Sequence, residues 1–331
     1  SSAMQRVHLG ILATSLLVSA CGGDGHGLGA ADPVSDSFPI TAGNGVEVAR
    51  KSYEAAIASG GFAEVGTLPV ASAGSGDGAQ IAIMAAGPED IMLDVISMVP
   101  FGPIVEGCLG GTGTVSYYGD IANVETITVG DTFSVEYESC DDGAGNVTDG
   151  LIEMTVTDFS GDLFLQTYML ATDVVVTNLQ VITLDDTVIG NGDATVTIDT
   201  TQTPYVSTSV SGSRMSTSSS LHGSQVLLDY GSTHTLDGNQ VPAEFTMSAY
   251  GTLDSSDLPA DVDYSTPTTF RGLVPAFPHE GVLLAEGDNS TARLTVLDAE
   301  KVRVEIDEDA DGVVDYSEDM TWEAFLGVGD T

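Results

Sequence analysis

Residues 150–158, GLIEMTVTD, alternate between apolar and polar side chains along their length. Because successive side chains of a β-strand point to opposite faces, Ile152, Met154 and Val156 are expected on one face. The stretch KVRVEI at residues 301–306 has the same pattern. Such alternation indicates strands with one buried face and one face in water, which is typical of antiparallel sheets.

Strand-like stretches continue through most of the chain after residue 110. Thr, Val, Ser and Tyr are frequent there, and Gly-Asp, Asn-Gly and Asp-Gly pairs favour turns between the stretches. We predict a mainly β fold: a large antiparallel curved sheet or barrel, with a β-sandwich as the alternative. The Ser/Thr-rich segment 207–220 is predicted to form polar strands at an edge. The candidate strands are 113–118, 131–139, 150–158, 163–170, 173–184, 193–200, 204–212, 224–231, 243–252, 267–273, 281–286, 291–298 and 301–306.

Two segments that precede the sheet are predicted to be helical. Asn44 and Glu47 have the spacing of a capping box, and apolar residues then recur at helical spacing until Gly60. The second segment, 88–99, is so apolar that a helix there must be buried, and at about 12 residues it is too short to span a membrane. We expect these short helices, within residues 46–100, to pack on or inside the sheet.

The charge balance limits the classes of partner. The 331 residues include eight Lys and Arg against 49 Asp and Glu, and the net charge is −41. Nucleic-acid binding is excluded because contacts with phosphates need clustered Lys and Arg. Docking onto anionic lipid headgroups through protein charge is disfavoured for the same reason. Divalent cations and basic partners are compatible with this charge, as is simple solubility in a salty medium.

The beginning of the chain has the features of an export signal. A short positive region at residues 4–6 is followed by a mostly apolar stretch at residues 7–20. The sequence VSAC at residues 18–21 resembles the lipobox of bacterial lipoproteins. The resemblance implies that Cys21 carries a lipid and that the peptide bond before it is cleaved. Because Gly22 rather than Asp follows, the resemblance also implies delivery to the bacterial outer membrane.

The predicted organisation therefore has three parts. Residues 1–20 form a lipoprotein signal peptide, and the Gly-, Asp- and Ser-rich residues 21–45 form a flexible tether. Residues 46–331 form the β-rich domain.

Two cysteines remain after Cys21, at positions 108 and 140. In an exported chain a pair of thiols usually forms a disulfide, so we predict a bond between Cys108 and Cys140. A catalytic thiol is the alternative. It is disfavoured because no histidine is near either cysteine in sequence.

The stretch DEDADGVVDYSE at residues 307–318 resembles the EF-hand calcium loop. Carboxylates stand at loop positions 1, 3, 5, 9 and 12, and Gly312 at position 6 permits a sharp turn. The resemblance implies that one calcium ion binds here. The implied ligands are the side chains of Asp307, Asp309, Asp311, Asp315 and Glu318, and the carbonyl of Val313.

The flanks of this loop differ from those of an EF-hand. The preceding residues 301–306 alternate like a strand, whereas residues 319–326 are predicted to form a short helix. We therefore predict a lone calcium loop on a β scaffold with a structural role. The alternative is an acidic, solvated turn without an ion.

No residue is predicted to be catalytic. His222, Asp229 and His234 are close in sequence and could form a metal or acid–base cluster across a hairpin, but scattered surface histidines are the simpler interpretation. We expect a non-enzymatic, lipid-anchored envelope protein that is structural, adhesive or ligand-binding. The alternatives are a lipocarrier-like protein that encloses a hydrophobic ligand, and a surface hydrolase. Expected partners are the membrane, through the lipid, and an unidentified hydrophobic ligand, glycan or protein.

Overall fold

A computed structural model of the protein describes residues 38–60 and 104–327, apart from residues 109, 121–126, 163–164, 166, 185, 203, 222 and 240. The predicted signal peptide, Cys21 and the predicted helix at 88–99 lie outside the described residues. The lipocarrier interpretation depends on that helix and therefore stays a prediction.

Within the described residues, fourteen strands form one antiparallel sheet, in which each strand pairs with the next strand in sequence. This confirms the predicted mainly β fold with a large antiparallel sheet. No pairing between described residues joins β1 to β14, so the sheet is open and is not closed into a barrel. The strands are β1 (Ile104–Gly107), β2 (Thr114–Asp120), β3 (Thr132–Asp141), β4 (Val147–Asp162), β5 (Thr167–Ile182), β6 (Thr187–Asp199), β7 (Tyr205–Ser219), β8 (Gly223–Asp237), β9 (Glu244–Ser255), β10 (Val262–Leu273), β11 (Pro278–Gly287), β12 (Ser290–Val296), β13 (Lys301–Asp307) and β14 (Tyr316–Thr321).

The alternation in the sequence matches the two faces of the sheet. In β4, Ile152, Met154 and Val156 are buried while the residues between them are exposed. In β13, the three apolar residues Val302, Val304 and Ile306 are fully buried. One face of the sheet therefore contributes to the core, and we call the opposite face the outer face.

The strand predictions failed mainly at the edges. β1 and β14 were not predicted, because each pairs with a single strand in the part of the chain that is described, and most residues of both strands are exposed. Neither strand therefore has a buried face that would impose alternation. The candidates 163–170 and 173–184 are not two strands, since residues 167–182 form the single strand β5.

The Ser/Thr-rich segment forms β7, which confirms a strand there, but its predicted place at an edge is wrong. β7 pairs with β6 on one side and with β8 on the other. Its inward Val210 and Met215 are buried, whereas most of its hydroxyl side chains are on the outer face. Short hairpin connections put a strand beside its sequence neighbours, and the polarity of its outer face does not change that position.

The first predicted helix is α1 (Gly45–Gly60), which packs against the strands from β7 to β13. The predicted capping box is not formed. The Asn44 side chain accepts a hydrogen bond from Thr41 N at 2.7 Å, and Asn44 N donates to Thr41 O at 3.1 Å. Glu47 instead forms an ion pair with Arg50 one turn along the helix.

The chain is already packed before α1 begins. Phe38 and Ile40 are buried in the core. Ile40 N donates to Ser290 Oγ at 2.7 Å, and Asp288 N donates to Phe38 O at 2.9 Å. The packed part of the chain therefore begins no later than Phe38, within the stretch predicted as a tether.

Five aromatic side chains join α1 to the C-terminal part of the sheet. A short helix, α2 (Trp322–Leu326), follows β14, so the helix predicted for 319–326 is present but begins later. Trp322 stacks on Phe277 with ring centroids 5.3 Å apart, and Tyr53 of α1 lies 5.1 Å from the Trp322 ring. The cluster consists of Tyr53, Phe270, Phe277, Trp322 and Phe325.

Among the described residues, no helix is long and apolar enough to cross a membrane.

The predicted disulfide between Cys108 and Cys140 is confirmed. It links the residue after β1 to β3, with Cα atoms 5.4 Å apart. Backbone hydrogen bonds from Cys108 N to Gly113 O (3.3 Å) and from Gly110 N to Asp141 O (2.8 Å) hold the same turn. The bond therefore links the β1 edge of the described sheet to β3, which pairs with β2 and β4.

Candidate metal centre

The acidic loop predicted to bind calcium connects β13 to β14. These strands pair with Ile306 opposite Tyr316, and Asp315 N donates to Ile306 O at 2.8 Å, which closes the base of the loop. A strand therefore enters the loop, as predicted, and a strand rather than a helix leaves it. The loop lies at the end of a β-hairpin.

Three of the predicted ligands converge. Asp307, Asp309 and Asp315 each present one carboxylate oxygen, and these three oxygens lie within 4.8 Å of one another. In the described part of the chain, no Lys or Arg forms an ion pair with a carboxylate of the loop. The closest basic partner in sequence, Arg303, instead binds Asp319 through contacts of 2.6 and 2.9 Å. Within the described residues, no basic side chain therefore neutralises the three aspartates through an ion pair.

Backbone N–H groups hold the loop around Asp307. Gly312 N donates to Asp307 Oδ2 at 2.8 Å, and Asp311 N donates to Asp307 Oδ1 at 3.2 Å. Glu308 N donates to Asp315 Oδ2 at 2.9 Å. Gly312 has φ +86°, a conformation that glycine adopts without strain, as expected from its position in the sequence. These contacts leave further lone pairs on the carboxylates, since each oxygen offers about two.

The other predicted ligands are placed differently. Asp311 Oδ1 accepts a hydrogen bond from Val313 N at 2.7 Å. Glu318 lies in β14, where its Oε2 accepts from the Tyr316 hydroxyl at 2.7 Å, and this contact raises the pKa of Tyr316. Neither Asp311 nor Glu318 belongs to the converging group of three oxygens. Their roles, and that of the Val313 carbonyl, stay predictions.

The loop also contacts the chain just before α1. Glu308 Oε1 accepts a hydrogen bond from Ala42 N at 2.8 Å, across 266 positions of sequence. Ile306, at the base of the loop, packs so closely on Gly45 that a Cβ there would lie 2.1 Å from Ile306 Cδ1. Glu308 is the second residue of the loop, which is not a ligand position of the motif. Its contact joins residues that are far apart in sequence, so no local sequence pattern could predict it. The acidic loop and the beginning of α1 are therefore in contact.

The histidine cluster considered from the sequence is not formed by the residues that are described. His222 lies outside them. Asp229 is exposed and His234 is buried, and four residues of β8 lie between them. The expectation of surface histidines is wrong for His234. Its inward position on β8 is consistent with a role in the core.

Burial of His234 predicts a dependence of stability on pH. Burial lowers the pKa of His234 from 6.5 to about 4. The unfolded chain therefore takes up a proton below pH 6.5, whereas the folded protein does not until about pH 4. The contribution of neutral His234 to the free energy of unfolding is fully present above pH 6.5 and is lost as the pH falls toward 4. Between pH 7.5 and 5.0 it amounts to about 2 kcal/mol of unfolding free energy.

Urea unfolding of the wild type and His234→Leu at both pH values measures this contribution. The carboxylates contribute equally to both proteins, so the wild type is expected to lose about 2 kcal/mol more than the variant. The exposed His279 provides the control, since His279→Leu should behave like the wild type. Equal losses in the wild type and His234→Leu would contradict the assignment.

Comparison with known proteins adds no relative. No protein-family model, no curated protein and no solved structure matches this chain. A functional assignment therefore rests on the geometry of the molecule and on the sequence motifs.

Proposed function

We propose that this protein is a non-enzymatic, lipid-anchored protein of the bacterial envelope. Its large sheet serves as a structural, adhesive or ligand-binding scaffold, and a calcium ion at residues 307–318 stabilises the part of the sheet near β13 and β14. The observation that carries the proposal is the convergence of the Asp307, Asp309 and Asp315 oxygens at the β13–β14 turn.

The donor set suits calcium. Calcium takes six to eight oxygen ligands at 2.3–2.6 Å, so two of its ligands are at most about 5 Å apart. The three aspartate oxygens, within 4.8 Å of one another, meet that limit. Asp311, Glu318, the Val313 carbonyl and water would complete the shell. A carboxylate-only cluster favours such a hard cation over metals that prefer nitrogen or sulfur ligands.

Calcium here would stabilise the contact between the acidic loop and the segment before α1. Glu308 lies between two of the aspartates in sequence and also holds Ala42, close to where the packed chain begins at Phe38. A loop stiffened by calcium would hold Glu308, and through it the segment before α1.

Lipid attachment at Cys21 is supported by the lipobox at residues 18–21. Labelling of expressing cells with radioactive palmitate tests it. The wild type should incorporate label, and Cys21→Ala should not. Equal labelling of both proteins would refute attachment at this residue.

Calcium binding is tested by isothermal titration calorimetry. The wild type is expected to bind one ion, with a dissociation constant in the range of about 10⁻⁴–10⁻³ M that extracellular modules show. Asp309→Asn removes one charged oxygen of the converging group and should weaken binding at least tenfold. Glu318→Gln tests the twelfth loop position separately. Glu153→Gln, an exposed carboxylate on β4, is the matched control and should bind like the wild type.

Two outcomes would reject the calcium site. One is the absence of saturable binding to the wild type at millimolar calcium. The other is equal affinity of the wild type and Asp309→Asn. Binding should also raise the unfolding temperature of the wild type, because a ligand that binds only the folded state stabilises it.

A further inference from the structure

The outer face of β6 to β9 carries a row of hydroxyl groups from four neighbouring strands. Thr197 of β6 is opposite Ser209 of β7, which is opposite Thr233 of β8, which in turn is opposite Ser248 of β9. Neighbouring strands are about 4.8 Å apart, so the row is roughly 14 Å long. In the described part of the chain, none of these four hydroxyls makes a hydrogen bond with the protein. Their donors and acceptors are therefore available.

The next row contains an aromatic ring that lies on a glycine. Ser211 is opposite Gly231, and Gly231 is opposite Tyr250. A Cβ added to Gly231 would lie 2.7 Å from Tyr250 Cζ, so the tyrosine ring lies over the Gly231 backbone. Tyr250 is nevertheless 55 % exposed. One side of the ring thus rests on the sheet, and much of the ring remains accessible from solvent.

These two rows enclose a shallow cavity. Its volume is about 190 Å³, and it is lined by Thr197, Ser209, Ser211, Thr233, Ser248 and Tyr250 among others. We call these six residues the hydroxyl platform. The cavity is smaller than the roughly 300–1,000 Å³ typical of sites for drug-sized ligands. Its size and openness therefore suit one ring of a ligand that extends over the surface.

The chemistry of the platform selects a neutral, hydroxylated ligand. None of the described residues that line the cavity is charged, although the chain has 49 acidic residues. Neither an anion nor a cation would therefore find a counter-charge in the lining. Each Ser or Thr hydroxyl offers one donor and two acceptors, which match the hydroxyls of a sugar. The exposed ring of Tyr250 offers a flat surface on which the C–H groups of a pyranose can pack.

We propose that the hydroxyl platform is a binding site for neutral glycans. One pyranose ring packs on Tyr250, and its hydroxyls exchange hydrogen bonds with the surrounding Ser and Thr side chains. The inference rests on the proposed scaffold function and gives its ligand class. It is independent of the calcium loop, because the platform is on β6 to β9 and the loop connects β13 to β14.

The test is calorimetric titration of the protein with maltohexaose, cellohexaose and hexa-N-acetylchitohexaose as neutral probes. At least one probe is expected to bind, and Tyr250→Ala should weaken its binding at least tenfold. Tyr250→Phe keeps the ring and should stay within about threefold of the wild type. Tyr118→Ala is the matched control, since Tyr118 is 40 % exposed and lies on β2. It should bind like the wild type.

A second variant tests the platform without removing the Tyr250 ring, because that removal could disturb the fold. Thr233→Val keeps the shape of the side chain and removes only the hydroxyl. It should weaken binding about three- to tenfold while leaving the unfolding temperature close to that of the wild type. The inference is overturned if no probe binds, or if Tyr250→Ala and Thr233→Val both bind like the wild type.

The same titrations in calcium and in excess EDTA separate the two proposals. Glycan affinity is expected to be equal in both conditions. If the wild type binds calcium but none of the glycan probes, the glycan-site proposal alone is rejected. Glycan binding by a protein that binds no calcium would reject the cation site alone.

Discussion

Replacing Trp322 by alanine is expected to lower the free energy of unfolding by about 4 kcal/mol, within the range typical for truncation of a buried aromatic side chain. Trp322 is 1 % exposed and begins α2. Its ring stacks on Phe277, with planes 13° apart, and also meets Tyr53 and Phe325. The truncation would leave a cavity where α1, α2 and the loop before β11 meet. The expected decrease in stability therefore combines the lost burial of the ring with the lost van der Waals contacts to several elements.

Urea unfolding at pH 7.5 measures this effect. Leu184→Ala is the control, because Leu184 is 91 % exposed and its truncation should change stability by less than about 0.5 kcal/mol. Trp322→Phe keeps an aromatic ring and should lose distinctly less than alanine does. A loss below about 1 kcal/mol for Trp322→Ala would show that the aromatic cluster does not contribute to the core as its geometry indicates.

Removal of the disulfide is expected to lower the free energy of unfolding by about 3–4 kcal/mol. The bond closes a loop with a sequence separation of 32, and the estimate follows from the lost restriction of the unfolded chain. The folded structure should persist, because backbone hydrogen bonds from Cys108 and Gly110 hold the same turn. Weakening is expected first in β1, which among the described strands pairs with β2 alone.

The measurement compares the wild type with the double variant Cys108→Ser, Cys140→Ser, each with and without dithiothreitol. Reductant should destabilise the wild type and leave the double variant unchanged. Hydrogen exchange should become faster in β1 and remain slow in β4 and β5, which pair on both sides. A wild type that is insensitive to reductant under unfolding conditions would contradict the prediction.

Local patterns in the sequence predicted much of the fold. Alternation in β4 and β13 indicated which side chains are buried, because that property depends only on the two-residue period of a strand. The cysteine pair was predicted from the expected compartment. The edge strands β1 and β14 had no such signal, because neither has a continuous buried face.

The acidic loop and the hydroxyl platform differ in how far the sequence could predict them. Asp307, Asp309 and Asp315 belong to one loop of twelve residues, so a motif could predict that they converge. Tyr250 and Gly231 are on different strands, and neither residue has a sequence context that distinguishes it. Their contact depends on the pairing of β8 with β9, which has a register shift between Leu228 and Gly231.

The sequence by itself determined that the chain is mainly β, which faces of its best strands are buried, which cysteines pair and where acidic side chains cluster. These properties follow from residues that are close in sequence or, for the cysteines, from the lipobox resemblance, which sets Cys21 apart and leaves Cys108 and Cys140 as the pair. Only the tertiary structure decided that β7 lies within the sheet, that Glu308 meets Ala42, and that four hydroxyls align across β6 to β9. Those contacts depend on the order and register of strands, which short-range patterns do not specify. The physical reason is that register is set by the combined packing of the buried face and the geometry of each turn.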